Sequence, residues 1–570
     1  MGFPPLSAKK SLFLLAAALL CAAPGLAQGE PLFWQQGPHE EIVQKLLQAM
    51  PDEELLAQVF LVGYEKDRPT PEIMAWLKGR SIGGIKIFGW NADNIYTLAD
   101  SIALMQKTAY AAGQGIPLFV ATDQEGGWVR HVRGATSVTP GNLAIGASAR
   151  PYDAYYSGFY IGQEIRSLGV NMNFAPTVDV YTNPLAHVIG PRAFSSDPVL
   201  TGTLALAFYK GQDKAGVIST AKHYPGHGNA EGDSHGILPK IGDTLDTLWK
   251  RDLLPYRLLI SEKIPAILSG HLSFPGITGD TRPASLSPYF SRELLREKLG
   301  FQGILITDDL YMSGARWGSL SFPELCVEAL AAGNDMLMLS QTPALNDSIW
   351  NAVYTRYKND ARFRERIREA VGRILRIKLT YLKKTEGPAF SPSHAEIDAI
   401  PTEESRAFFF DQANRSLTLI KNSANLIPYN PRAGEKVLLA GQHKAFMTHG
   451  KKRYPTAEEF LFSYEPFYFS RKEDRAAFKQ AARSADTIIF CLSNPNSLEV
   501  LQEIKDFKGK VIVLSILTPV YLAELPWVDA SIAAYSWSAD SFKAAFAVLR
   551  GDFVPEGKLP VEIKPPEERR

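Results

Sequence analysis

The residues best suited to chemistry lie in one short stretch, 217–235, which reads VISTAKHYPGHGNAEGDSH. Its β-branched apolar start predicts a strand, and that strand ends in Lys222 and His223 before Pro and Gly break it. A loop rich in Gly, Asn and Asp follows and closes on Asp233 and His235. A strand that delivers Lys and His into such a loop is typical of an active-site edge, because loops on a rigid scaffold carry many binding and catalytic side chains.

A carboxylate follows a second apolar run further along the chain. Asp308 comes directly after Gly303–Thr307, so a rigid element would set its position. A carboxylate at a strand end in a polar pocket can attack the anomeric carbon of a sugar and form a covalent glycosyl-enzyme. The competing role is the N-cap of a helix over residues 310–317, and we favour that role for Asp309.

Such a reaction also needs a group that protonates the leaving oxygen. Asp233 and His235 could form a dyad in which the carboxylate orients the imidazole and raises its basicity. An unperturbed imidazole pKa of roughly 6.5 suits acid–base work at neutral pH. The alternative is a metal site made of His223, His227, Asp233 and His235, which the spacing alone does not exclude. Because the loop lacks the HExxH order of helical zinc sites, we predict no metal and no other cofactor.

Eight short apolar runs that alternate with amphipathic segments predict the scaffold. The pattern is typical of a (β/α)8 TIM barrel, which we assign to residues 30–385. A doubly wound open sheet is the alternative, but Gly-rich phosphate-binding fingerprints are missing. The predicted strands are Leu56–Tyr64, Gly84–Phe88, Pro117–Thr122, Val170–Ala175, Val217–His223, Pro265–His271, Gly303–Thr307 and Asp335–Ser340, with helices such as Pro151–Leu168, Pro198–Ala215 and Ser291–Leu299.

Polar residues follow five of these strands. The carboxyl ends of all strands in a parallel barrel lie on one face, where active sites sit. We therefore expect one site to gather the strand-end residues Asp123, Asp179, Lys222, His223, His271 and Asp308.

A second α/β domain is predicted after the barrel. Residues 386–404 are polar and contain proline, which indicates a linker. Beyond it, residues 405–570 predict a smaller layered sheet with flanking helices. The expected strands are Lys436–Ala440, Thr487–Cys491, Val511–Ser515 and Ala530–Tyr535, and the expected helices include Lys472–Ala485 and Phe542–Leu549.

Composition narrows the class of protein. The 570 residues include 61 Lys and Arg against 60 Asp and Glu, a net charge of +1, so no basic footprint for nucleic acid or anionic membrane is present. Three cysteines, Cys21, Cys326 and Cys491, form neither a disulfide framework nor a metal-finger spacing. The length predicts two domains with sizeable cores.

The N-terminus predicts export. Residues 1–27 combine a Lys pair, the apolar run 11–23 and a small-residue cleavage site, as in a signal peptide. The apolar run is short for a membrane span, so we expect an exported protein that is soluble or peripherally anchored. Cys21 leaves lipid attachment open as an alternative.

Several motifs resemble, in the same order, those of bacterial family 3 β-N-acetylglucosaminidases, and the likeness covers nearly the whole mature chain. In the second domain LTLIKNSANLIP at 417–428 and GDFVPEGKLP at 551–560 are also similar to the family. The motifs of the barrel are DQEGG at 123–127, NFAP at 173–176 with Asp179, IGPRAF at 189–194, AKHYPGHG at 221–228 with the DSH of 233–235, and TDDLYM at 307–312.

The resemblance implies a TIM barrel and a retaining mechanism. It implies that Asp308 is the nucleophile and that His235 with Asp233 is the acid/base dyad, where most glycosidases use a second carboxylate. The residues that would hold the N-acetylglucosamine ring are Asp123, Arg192, Lys222 and His223, with Met312 lining the pocket.

The chain departs from the family pattern at two positions. The family usually carries Arg eight residues after the Asp of DQEGG, where this chain has His131. His131 is therefore only a candidate sugar contact, and the adjacent Arg130 would face differently. Tyr311 replaces a small Ser, which would narrow the entrance or add a stacking surface.

We therefore expect an exported exo-β-N-acetylglucosaminidase that acts on peptidoglycan fragments or chitooligosaccharides through a covalent intermediate on Asp308. A phosphorylase of the same fold is one alternative, because a neutral His does not repel phosphate as a carboxylate would. A family 3 β-glucosidase is another, although the His-containing loop argues against it. A non-catalytic cell-surface glycan-binding protein is the third, and the intact Asp308, Asp233 and His235 speak against it.

Overall fold

The computed structural model describes residues 30–383, 392–463 and 472–564. The predicted signal peptide, 1–27, and Cys21 within it lie outside these residues. In the described part of the chain, no helix is both long and apolar enough to cross a membrane.

Within the described residues, eight parallel strands form a nearly closed barrel whose strand order follows the chain. The Thr307 N–H donates to the Met336 carbonyl over 3.0 Å and the Leu310 N–H to that of Met338 over 3.2 Å, which joins the last two strands. The strands are β1 (Phe60–Gly63), β2 (Gly84–Ile87), β3 (Phe119–Thr122), β4 (Met172–Asn173), β5 (Ile218–Tyr224), β6 (Ala266–Ser269), β7 (Ile304–Thr307) and β8 (Leu337–Leu339).

The predicted TIM barrel is confirmed, and each predicted strand overlaps an observed one. The first prediction, Leu56–Tyr64, is wrong at its start, because residues Asp52–Ala57 form a helix and the strand begins at Phe60. Three acidic residues in the first turn of that helix interact favourably with its N-terminal dipole, which explains the local preference. Every residue of the barrel strands is buried, as expected for a parallel sheet covered by helices.

Helices surround the barrel and position its loops. The segment Tyr289–Lys298 is a π-helix, close to the predicted Ser291–Leu299. The α-helices of this domain are α1 (His39–Ala49), α2 (Asp52–Ala57), α3 (Pro71–Arg80), α4 (Ile95–Ala111), α5 (Asn142–Ser148), α6 (Pro151–Ser167), α7 (Pro198–Lys214), α8 (Leu245–Lys250), α9 (Leu253–Ser261), α10 (Pro275–Thr278), α11 (Phe322–Ala332), α12 (Ser348–Asn359) and α13 (Ala361–Tyr381).

The second domain contains a six-stranded sheet in the described residues, with strand order β9-β14-β13-β12-β10-β11. Only β9 runs antiparallel to its neighbour. The sequence did not predict β9 and β11, because both are edge strands with partly exposed, polar residues. The strands are β9 (Thr418–Asn422), β10 (Val437–Gly441), β11 (Glu458–Leu461), β12 (Thr487–Leu492), β13 (Lys510–Ser515) and β14 (Ala530–Ala533).

The remaining helices join the domains and cover the second sheet. They are α14 (His394–Asp398), α15 (Glu403–Ser416), α16 (Lys444–Arg453), α17 (Lys472–Ala482), α18 (Pro495–Gln502) and α19 (Ala539–Arg550). The short α14 thus lies inside the predicted linker. Arg415 of α15 pairs with the buried Asp153 of α6 at 2.6 Å, and the Ser195 hydroxyl donates to the Pro560 carbonyl at 2.6 Å. The C-terminal segment therefore supports the loop that carries Arg192.

Candidate active site

Asp308 directly follows β7, at the carboxyl end of the barrel. Its N–H donates to the Ser269 carbonyl on the neighbouring strand over 2.9 Å, and its Oδ1 accepts the Asp309 N–H over 2.8 Å. Burial opposes its charge, but the imidazoles of His223 and His271 outweigh burial and hold the pKa of Asp308 below its usual value. Asp308 is therefore an ionised carboxylate at neutral pH, as a nucleophile must be.

Asp309 has a structural role, but the helix predicted over residues 310–317 is wrong. The segment forms turns and one 3₁₀ turn, Ser313–Ala315. Asp309 accepts the Tyr311 N–H over 3.2 Å and the Ser340 N–H over 3.0 Å, so it ties this turn to the end of β8. One oxygen of the Asp309 carboxylate is thus occupied by two backbone donors.

Two ammonium groups hold Asp123, the residue that follows β3. Lys222, at the end of β5, pairs with its Oδ1, and Lys86 on β2 pairs with its Oδ2 at 2.6 Å. Lys222 also contacts Glu125 at 2.6 Å. Although burial opposes its charge, the lysines Lys222 and Lys86 hold the pKa of Asp123 well below its usual value. Asp123 is therefore a fixed, ionised acceptor.

Arg192 and Glu125 form a buried bidentate pair beside this group. The guanidinium donates to Glu125 through Nε at 3.0 Å and through an Nη at 2.8 Å, a geometry that fixes its plane. Against the effect of burial, Arg192 and Lys222 lower the pKa of Glu125 to about 2. The same Nη of Arg192 lies 3.1 Å from His223 Nε2, so the guanidinium reaches the next candidate residue.

A carboxylate behind His223 sets its orientation. Asp179 lies after β4 and contacts His223 Nδ1 at 2.7 Å, while its Oδ1 accepts the His227 N–H over 2.7 Å. The imidazole of His223 outweighs burial and lowers the pKa of Asp179 to about 2. Nε2 of His223 is consequently the nitrogen that faces Arg192. Asp179 thus anchors both the strand end and the start of the Gly-rich loop.

The loop that ends at His235 stands at the rim of the site. His235 Nδ1 lies 2.6 Å from Asp233 Oδ1, and the two side chains are 67% and 43% exposed. The Ser313 N–H donates to the His235 carbonyl over 3.2 Å, and that of Gly314 to Ser234 over 3.0 Å. The loop of Asp233 and His235 is therefore bonded to the segment that follows Asp308. The hydrogen bond to Asp233 raises the pKa of His235, although burial opposes it.

His131, Arg130 and Met312 are the remaining residues that the sequence singled out near the sugar site. His131 Nδ1 is 3.7 Å from Asp123 Oδ2, and its ring packs on Phe88 at 5.6 Å between centroids. Arg130 instead donates to the Thr136 and Ser137 carbonyls at 2.9 and 3.1 Å. Met312 is buried in the turn that Asp309 closes and stays a candidate wall of the sugar pocket.

Sequence reasoning missed one member of the site and assigned no individual role to three others. Lys86 was not chosen, Asp179 and the buried His271 were expected at the site only as strand-end residues, and Glu125 was only part of a motif. The signal for Lys86 was a lone charge inside the apolar run Gly84–Phe88, because a buried ammonium needs a partner. His271 bridges Ser285 Oγ at 2.8 Å and the Asp309 carbonyl at 3.0 Å, so it supports the turn that follows Asp308.

The alternative metal site would combine His223, His227, Asp233 and His235. Among the residues that the structure describes, no group of three or more His, Cys, Asp or Glu side chains is arranged to hold a metal ion. His223 is engaged with Asp179, and His227 Nε2 lies 3.3 Å from Ser234 Oγ. The polar cluster is therefore built from ion pairs and hydrogen bonds among its own side chains.

The chain that carries this strand-end carboxylate and imidazole matches a known protein family over both of its domains. The profile of the glycosyl hydrolase family 3 N terminal domain matches residues 46–377, and that of the family 3 C-terminal domain matches residues 417–570. The chain belongs to glycosyl hydrolase family 3. It is accordingly a glycoside hydrolase, and its two-domain fold is the fold of that family.

Similar members of family 3 include β-hexosaminidases. Beta-hexosaminidase A of Pseudoalteromonas piscicida is 27% identical over 86% of this chain and 91% of that protein. The beta-hexosaminidase of Neisseria meningitidis serogroup A is 34% identical over 50% of this chain and 78% of that protein. A solved family 3 beta-N-acetylglucosaminidase from Paenibacillus sp. superposes with a TM-score of 0.83 at 26% identity, covering 90% of this chain and 99% of the other.

Proposed function

We propose that this glycoside hydrolase is a retaining exo-β-N-acetylglucosaminidase, which removes terminal N-acetylglucosamine from peptidoglycan fragments or chitooligosaccharides. The β-hexosaminidase relatives support this substrate class. The observation that carries the mechanism is that the His235–Asp233 dyad is hydrogen-bonded to the turn that follows the ionised Asp308. One carboxylate and one imidazole are thus available at the same strand-end face.

The first chemical step transfers the sugar to the enzyme. An Asp308 carboxylate oxygen forms a bond to C1 of the sugar while the bond from C1 to the leaving oxygen breaks. Protonated His235 donates its Nε2 proton to that oxygen, because Nδ1 faces Asp233. The Asp233 carboxylate stabilises the imidazolium before the transfer and keeps the ring oriented afterwards.

The second step releases the sugar. Neutral His235 accepts a proton from water, the water oxygen bonds to C1, and the ester bond from C1 to Asp308 breaks. Two inversions at C1 retain the β configuration of the product. The imidazole is protonated again at the end, so both groups return to their starting states.

The buried cluster would bind the sugar ring. Asp123 accepts hydrogen bonds from hydroxyl groups, Lys222 and Arg192 present donors around it, and His223, oriented by Asp179, lines the same site. All four side chains are already held by ion pairs, so little reorganisation is needed when substrate enters. This supports an exo-acting site that encloses one terminal ring.

A side-by-side measurement tests the proposal. The protein is assayed with 4-nitrophenyl β-N-acetylglucosaminide and β-glucoside, each with and without phosphate. We expect turnover of the N-acetyl substrate that phosphate does not change, and Asp308→Ala should abolish it. Formation of sugar 1-phosphate would favour the phosphorylase, and preference for the glucoside would favour a β-glucosidase. If neither substrate is turned over, a glycan-binding protein is favoured.

We also propose that residues 1–27 direct export and are removed. The N-terminal pattern of a Lys pair and a short apolar run supports this. Fractionation of cells that produce the full chain, with N-terminal sequencing of the product, tests it. Cys21→Ser distinguishes simple cleavage from lipid attachment at Cys21. Only a protein that is lipid-anchored as wild type would move from the membrane fraction to the soluble fraction in this variant.

A further inference from the structure

A fully buried lysine lies beside the sugar-binding carboxylate. Lys86 is 0% exposed on β2, and its Nζ is 2.6 Å from Asp123 Oδ2. The ammonium also donates to the Ile87 carbonyl over 3.2 Å and lies 3.4 Å from His131 Nδ1. The polar atoms at these three distances from Nζ all belong to the protein, so Lys86 acts on the site through its neighbours.

Lys86 and Lys222 divide the Asp123 carboxylate between them. Lys222 takes Oδ1 from β5, and Lys86 takes Oδ2 from β2 on the opposite side of β3. A carboxylate held at each oxygen by a buried cation has one orientation, and its remaining lone pairs face a fixed direction. With Lys222 alone, the carboxylate could rotate about its own bond.

His131 does not supply the second charge. Burial, reinforced by the Lys86 ammonium, lowers the pKa of His131 to about 4, so this imidazole is neutral at neutral pH. Its distance of 3.7 Å from Asp123 Oδ2 also exceeds a hydrogen bond. The positive charge at Oδ2 therefore comes from Lys86. The ammonium also lies 4.7 Å from the centre of the Phe88 ring, a cation–π contact that fixes it further.

We propose that Lys86 is a positioning residue for substrate binding, which holds Asp123 in the orientation that accepts the sugar hydroxyls. It does so from β2, in place of the arginine that the family resemblance leads one to expect at position 131. This inference rests on the proposed function, in which Asp123 contacts the ring. Lys86 itself does not contact the substrate.

The test begins with Lys86→Met, which keeps the length of the side chain and removes its charge. We expect kcat/KM to fall roughly 50-fold, mostly through KM, because a hydroxyl contact made in both ground and transition states contributes mainly to binding. Kinetics are measured with whichever of the two 4-nitrophenyl glycosides the wild type turns over. The test of Lys86 therefore survives a failure of the N-acetyl specificity.

A second buried lysine provides the matched control. Lys378 of α13 is also 0% exposed, donates to Gln58 Oε1 at 2.8 Å and lies 5.0 Å from the Phe119 ring. Because Gln58 precedes β1, Lys378 lies toward the amino ends of the strands, away from the site. Lys378→Met should lower the thermal midpoint and leave KM within about twofold of wild type, whereas a purely structural role of Lys86 would give both variants the same profile.

Rescue from position 131 decides the proposal. In the double variant Lys86→Met with His131→Arg, a guanidinium can reach Asp123 Oδ2, and we expect kcat/KM to recover at least tenfold over Lys86→Met. If Lys86→Met alone does not fold, a folded double variant with a KM within about fivefold of wild type gives the same support. An unchanged KM in folded Lys86→Met, or a folded double variant without recovery, would overturn the proposal.

Discussion

His235 and Asp233 are joined twice through one carboxylate oxygen. Asp233 Oδ1 lies 2.6 Å from His235 Nδ1 and also accepts the His235 N–H over 2.9 Å. The backbone bond fixes the carboxylate relative to the residue whose ring it orients. An exposed imidazole is thereby held by its own loop, and its Nε2 is the nitrogen that remains for a substrate.

His235→Ala should reduce activity according to the leaving group. Natural glycosides leave as poor alkoxides and need protonation, so we expect kcat/KM on N,N′-diacetylchitobiose to fall by about 10²–10⁴. 4-Nitrophenolate needs little help, and kcat/KM for its glycoside should fall by less than about tenfold. The ratio of the two losses is the measurement. Equal losses on both substrates would contradict the role of His235 as acid.

Asp233→Asn should shift the pH profile. The hydrogen bond to Asp233 raises the pKa of His235, so the acid form persists to higher pH than an isolated imidazole would allow. Removing the carboxylate lowers that pKa, and the basic limb of kcat/KM on chitobiose should move to lower pH. Although burial opposes ionisation, neighbouring imidazoles hold the pKa of Asp308 below its usual value. The acidic limb of the profile reports that carboxyl group, so it should stay in place.

A matched pair of substrates isolates this effect. The 4-nitrophenyl glycoside depends little on the acid, so the shift of its basic limb should be small in the same variant. A shift of equal size on both substrates would mean that Asp233 acts on the fold of the loop rather than on the proton of His235.

The sequence predicted the barrel and most of the cluster because both depend on local patterns. Short apolar runs identified all eight barrel strands, and the polar residues at their ends identified Asp123, Lys222, His223 and Asp308. The observed pairs Lys222–Asp123 and His235–Asp233 agree with one shared site. In a parallel barrel this grouping follows from topology alone.

What the sequence did not predict depends on contacts between distant segments. Lys86 was not chosen, because a lysine in a strand acquires a role only once Asp123 is placed beside it. Asp309 was expected to cap a helix, but its Oδ1 accepts the N–H groups of Tyr311 and of Ser340, which is 31 residues away. The edge strands β9 and β11 lack a buried pattern, so only pairing reveals them.

Tyr311→Ser should weaken binding of the leaving sugar. The Tyr311 ring stacks on Phe322 at 4.5 Å, is 37% exposed, and lies two residues from Ser313, which bonds the His235 carbonyl. We expect the exposed part of this ring to contact a sugar beyond the scissile bond, a contact worth about 0.5–1.5 kcal/mol. We expect kcat/KM on chitobiose to fall roughly 2–12-fold.

The control for Tyr311 is a substrate without a leaving sugar. β-N-acetylglucosaminyl fluoride should be hydrolysed by Tyr311→Ser and wild type at similar rates, because it cannot reach the ring. A parallel loss on the fluoride would show instead that Tyr311 supports the turn next to Asp308.

Asp335→Asn should destabilise the barrel without affecting chemistry. Asp335 precedes β8, is 0% exposed, and pairs with Arg296 at 2.6 Å, Arg366 at 2.7 Å and Arg373 at 3.0 Å. Removing its charge leaves three cations without their common partner, a loss of about 3–5 kcal/mol for a broken buried pair. The thermal midpoint of the barrel should fall by at least about 5 °C.

The contribution of Asp335 to the free energy of unfolding should decrease as the pH falls. Although burial opposes ionisation, the arginines, Arg296 first, lower the pKa of Asp335 to about 2, below its value in the unfolded chain. Its contribution is therefore fully present above roughly pH 4 and is lost as the pH falls towards 2. Wild type should lose this increment of stability in that window and Asp335→Asn should not.

The control is an exposed ion pair. Glu40→Gln, which breaks an exposed pair with Arg376, should cost less than about 1 kcal/mol. An equal cost for the two variants would contradict the buried-cluster argument.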